Sequence, residues 1–239
     1  MRPLRDIPAV QITLGIALRL FFIGGHAMLL PIGMVFERLI AREDRPRLWR
    51  LLARSLNRWI FTLFGLKMQG TGQIPSPTEH ARLYISNHPT MIDGFLYFMF
   101  LGPEIIPLTA PAKMQIFPFN VWFPKMGIVD VARDAYDSIH ADTAQDRHEA
   151  ITSLVSYAVR EQKSLLIFPE GHIEHGGGIH YIHTGAARVS IRAHVPIVPL
   201  VLANMDRIFL GGLRYRPGPV YVRVGEEFSP PTVSRALPY

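Results

Sequence analysis

The chain opens with a long apolar segment. Only two charged residues lie between positions 5 and 37, and residues 20–36 are 17 consecutive uncharged positions. That length is at the lower edge of the roughly 17–25 residues that a membrane-spanning helix needs. Gly24, Gly25 and Pro31 interrupt the run and favour a kink or a re-entrant pair of helices. Three interpretations stay open: a hairpin in one leaflet, one true span, and a buried core helix.

A second helical pattern, over residues 45–65, has two faces of opposite character. Its arginines recur every three or four residues on one face, and its apolar residues form a stripe on another. The arginines are Arg47, Arg50, Arg54 and Arg58, and the stripe comprises Trp49, Leu52, Leu56, Ile60 and Leu63. A basic amphipathic helix is typical of an anionic lipid surface. The alternative is a surface helix that packs on the protein and keeps its arginines in water.

From about residue 70, short apolar runs alternate with amphipathic stretches. This alternation predicts an α/β domain with a mixed, mostly parallel sheet flanked by helices, preceded by the N-terminal membrane-associated helical segment. The predicted strands cover residues 82–86, 105–109, 128–131, 164–168, 196–202 and 220–224, and the predicted helices cover 93–100, 145–162 and 185–194. We therefore divide the chain into membrane-associated helices, residues 1–67, and an α/β domain, residues 68–239.

The location of the positive charge supports this division. The 239-residue chain has a formal net charge of +6, and residues 1–67 alone hold 11 basic and 4 acidic side chains. Residues 68–239 hold 14 basic and 15 acidic side chains. A nucleic-acid-binding protein is expected to spread lysine and arginine over a folded face, so the distribution argues against a nucleic-acid partner. An apolar and basic N-terminal segment suits a membrane surface.

Composition excludes further classes of protein. Hydrophobic residues make up 49% of the chain, which excludes intrinsic disorder. The sequence has no cysteine. Disulfide scaffolds, thiolate zinc sites and a covalent acyl-cysteine intermediate are therefore excluded as well.

Sheets of this kind bind ligands at the carboxyl ends of their strands, so polar residues that follow a predicted strand are the candidates for chemistry. The first such segment is SNHPTMID, residues 86–93. Asp93 can accept a hydrogen bond from one ring nitrogen of His88, while the other nitrogen removes a proton from a hydroxyl. That is general-base chemistry without a covalent step. The alternative is that Asp93 or Asn87 caps a helix and that His88 only packs.

The second candidate segment is Phe168-Pro169-Glu170-Gly171, again directly after a predicted strand. Pro169 ends the strand, Gly171 permits an unusual backbone, and Glu170 stands where two elements part. The alternative is an ordinary turn with an exposed acid.

Together these segments resemble motifs of the glycerolipid acyltransferase family, which includes lysophosphatidic-acid and related lysophospholipid acyltransferases. Residues 87–93 match its Asn-His-x4-Asp motif, and residues 168–171 match Phe-Pro-Glu-Gly. Residues 127–133 are similar to its Gly-x-Ile-x-Val-x-Arg motif, and residues 195–199 match its Val-Pro-Ile-Val-Pro strand. The four motifs stand in the family's order over roughly residues 84–200.

The resemblance implies an O-acyltransferase that moves a fatty acyl group from acyl-CoA or acyl-carrier protein to the free hydroxyl of a lysolipid, in membrane lipid biosynthesis. It implies that His88 is the base, that Asp93 orients it, and that backbone amides of residues 89–91 stabilise the oxyanion. The residues implied in substrate binding are Asn87, Arg133, Phe168, Pro169, Glu170 and Gly171. A catalytically silent lipid-binding or membrane-scaffold protein on the same fold is the alternative.

The resemblance also implies partners and a location. We expect no metal and no cofactor, with acyl-CoA or acyl-carrier protein as co-substrate. The expected partners are membrane lipids, the lysolipid acceptor and the acyl donor. The expected location is the membrane, on the cytoplasmic face of the plasma membrane, as a monotopic protein or with one span.

The chain departs from the family after Glu170. Members that act on lysophosphatidic acid commonly continue this motif with Thr-Arg and place a lysine before a Gly-Ala pair. Here those places hold His172-Ile173 and His183-Thr184, so two cations suited to a phosphate monoester are missing. A different lysolipid, such as a phosphodiester, an amino-acid lipid or a glycolipid, is therefore a second possible acceptor.

Four histidines lie within twelve positions of each other after Gly171: His172, His175, His180 and His183. With nearby carboxylates they offer ligands that zinc accepts. However, three glycines at residues 176–178 make a flexible loop, and ordering it costs entropy. The alternative is a polar loop that lines the acceptor pocket or faces solvent.

Overall fold

The computed structural model describes residues 3–75, 80–109, 116–130, 163–171, 173 and 182–231. In this part of the chain, helices flank a seven-stranded sheet. The strands are β1 (Lys67–Thr71), β2 (Leu83–Ser86), β3 (Ile106–Thr109), β4 (Val129–Asp130), β5 (Leu165–Ile167), β6 (Ile197–Ala203) and β7 (Pro219–Val224). The helices are α1 (Pro8–Phe36), α2 (Arg45–Leu63), α3 (Asp93–Leu101), α4 (Phe119–Lys125), α5 (Gly185–Ala193) and α6 (Met205–Ile208), with 3-10 turns at Leu4–Asp6 and Arg42–Asp44.

The strand order is β1-β7-β6-β2-β5-β3-β4. Every neighbouring pair is parallel except β6 and β7, which confirms the predicted mixed, mostly parallel sheet. Leu83 of β2 pairs with Leu165 of β5 on one side and with Ile197 of β6 on the other. Because β2, β5 and β6 run in the same direction, they end at one edge of the sheet, here named the carboxyl edge. The opposite edge, where they begin, is named the amino edge.

Most predicted elements lie within two residues of their observed bounds. The predicted strand over 128–131 is observed as Val129–Asp130, and position 131 lies outside the described residues, as does the predicted helix over 145–162. Three observed elements were not predicted. The edge strand β1 is largely exposed and so lacks an apolar alternation, while α4 and α6 have only seven and four residues, too few for a helical period.

The interruption predicted within the first apolar segment is absent, because α1 is one helix from Pro8 to Phe36. Its glycines serve close packing instead. A side chain at Gly33 would lie 2.5 Å from the ring of Trp49, so only glycine permits this approach. Gly25 faces Leu56, and Phe22 stacks on Phe61, so α1 and α2 form an antiparallel hairpin.

One face of α1 packs on the protein, and the other is apolar and exposed. The inward residues recur every three or four positions: Gln11, Gly15, Leu18, Phe22, His26, Leu30 and Gly33. The exposed residues include Ile12, Ile16, Leu20, Ile23 and Met28, here named the outer face of α1. By length and composition α1 is able to cross a membrane, and it is the one helix of the described residues that is.

Part of the basic face of α2 is turned toward the sheet and its helices. Arg50 is 3% exposed; its Nη1 donates to the carbonyl of Met126 at 2.7 Å, and its Nε donates to that of Pro103. Arg47 pairs with Glu104 at 2.8 Å, and Arg54 lies 3.5 Å from the carbonyl of Met99. The interpretation of this face as a lipid-binding surface is therefore wrong for Arg50, whereas Arg47 and Arg58 are exposed. The carbonyls that Arg50 contacts follow the ends of α3 and α4, and helix C-termini attract cations.

The N-terminal hairpin and the sheet share one hydrophobic cluster. Phe22 of α1 and Trp49 of α2 belong to the same buried set as Tyr84 of β2 and Val222 of β7. The domain boundary at residue 67 stays a prediction, and β1 begins there. Removal of residues 1–66 would expose this shared cluster.

Candidate active site

His88 and Asp93 lie at the carboxyl edge, between the end of β2 and the first residue of α3. His88 Nδ1 is 3.0 Å from Asp93 Oδ2. Thr90 supports the same carboxylate: its backbone N–H donates to Oδ2 at 2.7 Å, and its hydroxyl donates to Oδ1. Asp93 is fully buried. Burial raises the pKa of Asp93 above its ordinary value, and the hydrogen bonds from His88 and Thr90 oppose that rise.

The imidazole of His88 stacks on the ring of Phe168. The ring centroids are 4.2 Å apart and the planes differ by 17°. One ring face is therefore covered, and Nδ1 is engaged by Asp93. The side chain of His88 remains 20% exposed, so Nε2 is the nitrogen left for a reaction.

Asn87 has a structural contact, and its expected role in substrate binding stays a prediction. Its Nδ2 donates to the carbonyl of Leu202 at 2.9 Å, and its Oδ1 accepts from the Leu202 N–H at 2.8 Å. The side chain thus imitates a strand neighbour of β6 and fixes the backbone just before His88. Nδ2 carries a second hydrogen, so a substrate contact by this amide is compatible with both bonds.

Glu170 is buried, not exposed as an ordinary turn would leave it. Its Oε1 accepts a hydrogen bond from the backbone N–H of His88 at 3.0 Å. Within the described part of the chain, its buried Oε2 has no hydrogen-bond partner. The turn around it is closed by the Gly171 N–H, which donates to the Phe168 carbonyl at 3.1 Å, and the His183 N–H donates to the Pro169 carbonyl at 2.8 Å.

The oxyanion expectation for residues 89–91 needs correction. The Thr90 N–H already donates to Asp93, and Pro89 has no N–H to offer. The neighbouring N–H of His88 is held by Glu170. Two of the three positions are therefore not available as donors, because Pro89 lacks the N–H and Thr90 uses its N–H to hold Asp93.

Sequence reasoning missed two supporting residues. Thr90 stands three positions before Asp93, a spacing like that of a capping box, and this signal could have identified it. Tyr97 lies one helical turn after Asp93 on α3, and its hydroxyl bonds Ser86 at the end of β2. Burial raises the pKa of Tyr97 well above its usual range, so it acts here as a neutral hydrogen-bonding group.

Four of the residues singled out in the sequence lie outside the described part of the chain. Arg133 lies outside the described residues, as do His172, His175 and His180. Among the residues that the structure describes, no group of three histidines or carboxylates is arranged to hold a metal ion. The histidine-rich site and the role of Arg133 stay predictions.

Comparison with known proteins bears on this geometry. Residues 66–203 match the family model described as Acyltransferase. The chain is 26% identical over 180 residues to a 1-acyl-sn-glycerol-3-phosphate acyltransferase of Limnanthes alba, across 75% of this chain and 60% of that protein. It is 24% identical over 206 residues to the protein of the same name from Borreliella burgdorferi, across 86% of this chain and 79% of that protein. The chain thus spans about 60% of the length of the plant relative.

A solved structure is similar over most of the chain. The 1-acyl-sn-glycerophosphate (LPA) acyltransferase of Thermotoga maritima has a TM-score of 0.68 and 16% sequence identity. The match covers 92% of this chain and 88% of that one. At this identity the likeness shows the fold.

Proposed function

Since this chain belongs to the acyltransferase family, we propose that it transfers a fatty acyl group from a thioester donor to the free hydroxyl of a lysolipid. One observation carries the proposal. His88 stands at the carboxyl edge with Nδ1 bound to a buried carboxylate and with Nε2 left for an incoming hydroxyl.

This geometry supports proton transfer through His88. With Asp93 accepting from Nδ1–H, Nε2 carries the lone pair and removes the proton of the lysolipid hydroxyl. The hydroxyl oxygen forms a bond to the thioester carbonyl carbon. When the tetrahedral intermediate collapses, the C–S bond breaks and the imidazolium returns its proton to the departing thiolate. Asp93 stabilises the imidazolium between the two transfers. Base catalysis of this kind contributes roughly 10²–10⁴-fold in rate.

The two carboxylate oxygens of Glu170 have different roles in this proposal. Oε1 holds the backbone of His88. Oε2 is buried without a partner among the described residues, and an unpaired buried oxygen is costly. A hydroxyl or ammonium group of the bound acceptor would satisfy it. We retain the expectation that Arg133 contributes to acceptor binding.

The chemical class of the acceptor has two candidates. The relatives are named 1-acyl-sn-glycerol-3-phosphate acyltransferases, which supports lysophosphatidic acid. The residues after Gly171 support a lysolipid without a phosphate monoester, because histidine and isoleucine replace the expected Thr-Arg pair. Either acyl-CoA or acyl-carrier protein serves as the donor in this proposal.

We further propose that the protein is monotopic and lies on the cytoplasmic face of a membrane, where both acyl donors occur. The outer face of α1 is apolar and exposed in the described part of the chain, while the inner face packs on the protein from Gln11 to Gly33. A helix bound to the protein along most of its length would carry α2 into the bilayer if it crossed. Insertion of the outer face into one leaflet avoids that cost.

An acceptor panel tests the proposed reaction. The purified chain is given acyl-CoA or acyl-carrier protein with lysophosphatidic acid, lysophosphatidylcholine, an amino-acid lysolipid or a lyso-glycolipid, and released thiol is measured. We expect turnover with at least one acceptor and a loss of about a thousandfold or more in His88→Ala. The matched control is His80→Ala, because His80 lies near the amino edge beside Glu227. Lysolipid binding without thiol release from either donor would contradict the proposal and favour the silent lipid-binding alternative.

A further inference from the structure

A cationic surface lies on the loop between β6 and β7. Residues 207–216, here named the basic loop, begin in the last two residues of the short helix α6. Arg207 and Arg214 are exposed, and Leu213 at the tip is 48% exposed. Unlike Arg50 of α2, which is buried, these two charges face outward.

The basic loop is fastened to the beginning of α1. Arg19 Nη2 donates to the carbonyl of Gly212 at 2.7 Å, and the Tyr215 N–H donates to the carbonyl of Gln11 at 3.0 Å. Any side chain at position 15 of α1 would overlap the carbonyl oxygen of Leu213, so this approach requires glycine. The loop and the helix therefore present one continuous surface.

This surface lies at the same edge of the sheet as His88. The loop leaves the sheet after the end of β6, whose Leu202 is hydrogen-bonded to Asn87, the neighbour of His88. The N-terminal turn adds Leu4, which is 74% exposed, and Arg5. Residues 3–19 and 204–216 together hold five arginines and two aspartates.

We propose that the basic loop and the N-terminal turn bind anionic lipid head groups and so hold the active-site edge against the membrane. This inference rests on the proposed membrane location. Guanidinium groups match phosphate geometry, and the exposed leucines are suited to the boundary between head groups and acyl chains. The stretch of α1 that the loop contacts also carries Ile12 and Ile16 of the apolar outer face. Those exposed leucines and isoleucines favour a lipid surface over an acidic protein, such as an acyl-carrier protein.

Vesicle binding by the whole chain tests the inference. Cosedimentation is measured with vesicles of phosphatidylcholine alone or mixed with phosphatidylglycerol, at low and high salt. We expect tighter binding to the anionic vesicles, with a difference that falls as salt rises. Arg207→Gln/Arg214→Gln is expected to weaken binding to the anionic vesicles by about tenfold or more, because each cation near such a surface contributes substantially. Its binding to neutral vesicles should stay unchanged.

The control removes the same charge at the other end of the sheet. Lys163 and Arg192 precede the first residues of β5 and β6, at the amino edge. Lys163→Gln/Arg192→Gln should bind as the parent does, and thermal unfolding checks that each variant is folded. A second variant, Leu213→Ser, should weaken binding to both kinds of vesicle without altering the salt dependence.

Three outcomes would overturn the inference, and they differ in meaning. Equal weakening by both charge variants would show that net charge matters and location does not. Unchanged vesicle binding of Arg207→Gln/Arg214→Gln, together with lost transfer from acyl-carrier protein but not from acyl-CoA, would identify an acidic carrier protein as the partner. No vesicle binding by the parent would remove the membrane location as well, while thiol release in the acceptor panel would still decide the proposed reaction.

Discussion

The polar groups of the site have hydrogen-bond partners within the chain, whereas the apolar groups on the outer face of α1 are exposed. Asp93 is fully buried, yet three hydrogen bonds from its own loop surround it. Ile16 and Ile23 on α1 are 41% and 43% exposed. The chain itself completes the environment of the first group, whereas the second group lacks a partner within the described residues. Mutations at the two places should therefore separate catalysis from membrane binding.

The largest effect is expected at the site, from Asp93→Asn. Asp93 Oδ2 accepts from both His88 Nδ1 and the Thr90 N–H. An asparagine that keeps its oxygen at the Oδ2 position retains both contacts, and its NH2 group then donates to the Thr90 hydroxyl. It carries no negative charge, however, so the imidazolium that forms on His88 during the reaction loses its counter-charge. We expect kcat to fall on the order of a thousandfold.

The control for this variant is Asp44→Asn, at an exposed position. Both proteins should bind vesicles as the parent does, and kcat is measured by thiol release. A loss below about tenfold in Asp93→Asn would mean that Asp93 only caps the loop. A loss of vesicle binding in Asp93→Asn would contradict the expected separation of catalysis from membrane binding.

The next effect belongs to the outer face of α1. Ile16→Glu/Ile23→Glu places two carboxylates where we propose acyl chains, and the side chains are exposed enough for the fold to remain. We expect partitioning into vesicles to fall about a hundredfold or more, since charged residues are disfavoured in lipid by roughly 3 kcal/mol relative to isoleucine. Transfer to a water-soluble short-chain acceptor should be retained.

A matched control adds the same charge to exposed apolar positions elsewhere. Val201 and Tyr221 are 43% and 45% exposed on β6 and β7. Val201→Glu/Tyr221→Glu should leave partitioning within about twofold of the parent, because these residues lie on strands and not on α1. Equal losses in the two variants would contradict a specific role for the outer face. Deletion of residues 1–66 is a poorer experiment, because it exposes the shared core.

An intermediate effect is expected within α2, where one face was predicted to bind lipid. Arg50 donates to the carbonyls of Pro103 and Met126, so Arg50→Met leaves buried oxygens unsatisfied. We expect the free energy of unfolding to fall by about 2–3 kcal/mol. Arg58 is exposed on the same helix, and Arg58→Met should stay within about 0.5 kcal/mol.

Urea unfolding followed by tryptophan fluorescence measures both arginine variants. If Arg58→Met also left vesicle binding unchanged, the charge of Arg58 would have no role in lipid binding. Comparable destabilisation by the two changes would contradict the inward contacts of Arg50.

Local patterns predicted the sheet and the pairing of His88 with Asp93 because the causes lie within a few residues. A strand end followed by the first turn of a helix is a local event, and the two residues are five positions apart. The alternation of apolar runs likewise predicted β2, β5 and β6 directly. Fold class and the central pair of the site were therefore accessible from sequence.

Contacts between distant segments were not accessible in the same way. Periodicity placed the arginines of α2 on one face, but it did not say what covers that face. The carbonyl that binds Arg50 Nη1 is 76 positions away, and the strand that holds Asn87 is 115 positions away. The glycines of α1 were misinterpreted for the same reason: helix breaking is a local effect, whereas the approach of Trp49 to Gly33 depends on tertiary structure.

The smallest predicted effect concerns Phe168, which sequence reasoning assigned to substrate binding and whose ring lies parallel to that of His88. Phe168→Leu removes the flat support while keeping an apolar side chain, so the imidazole gains rotational freedom. We expect kcat to fall about tenfold with little change in KM, since positioning affects the transition state more than acceptor binding. Phe168→Tyr keeps the ring and should restore kcat to within about twofold. A rise in KM with unchanged kcat would instead mean that Phe168 contacts the substrate. The site would then, like the outer face of α1, present an apolar group that is contacted by a molecule other than the chain itself.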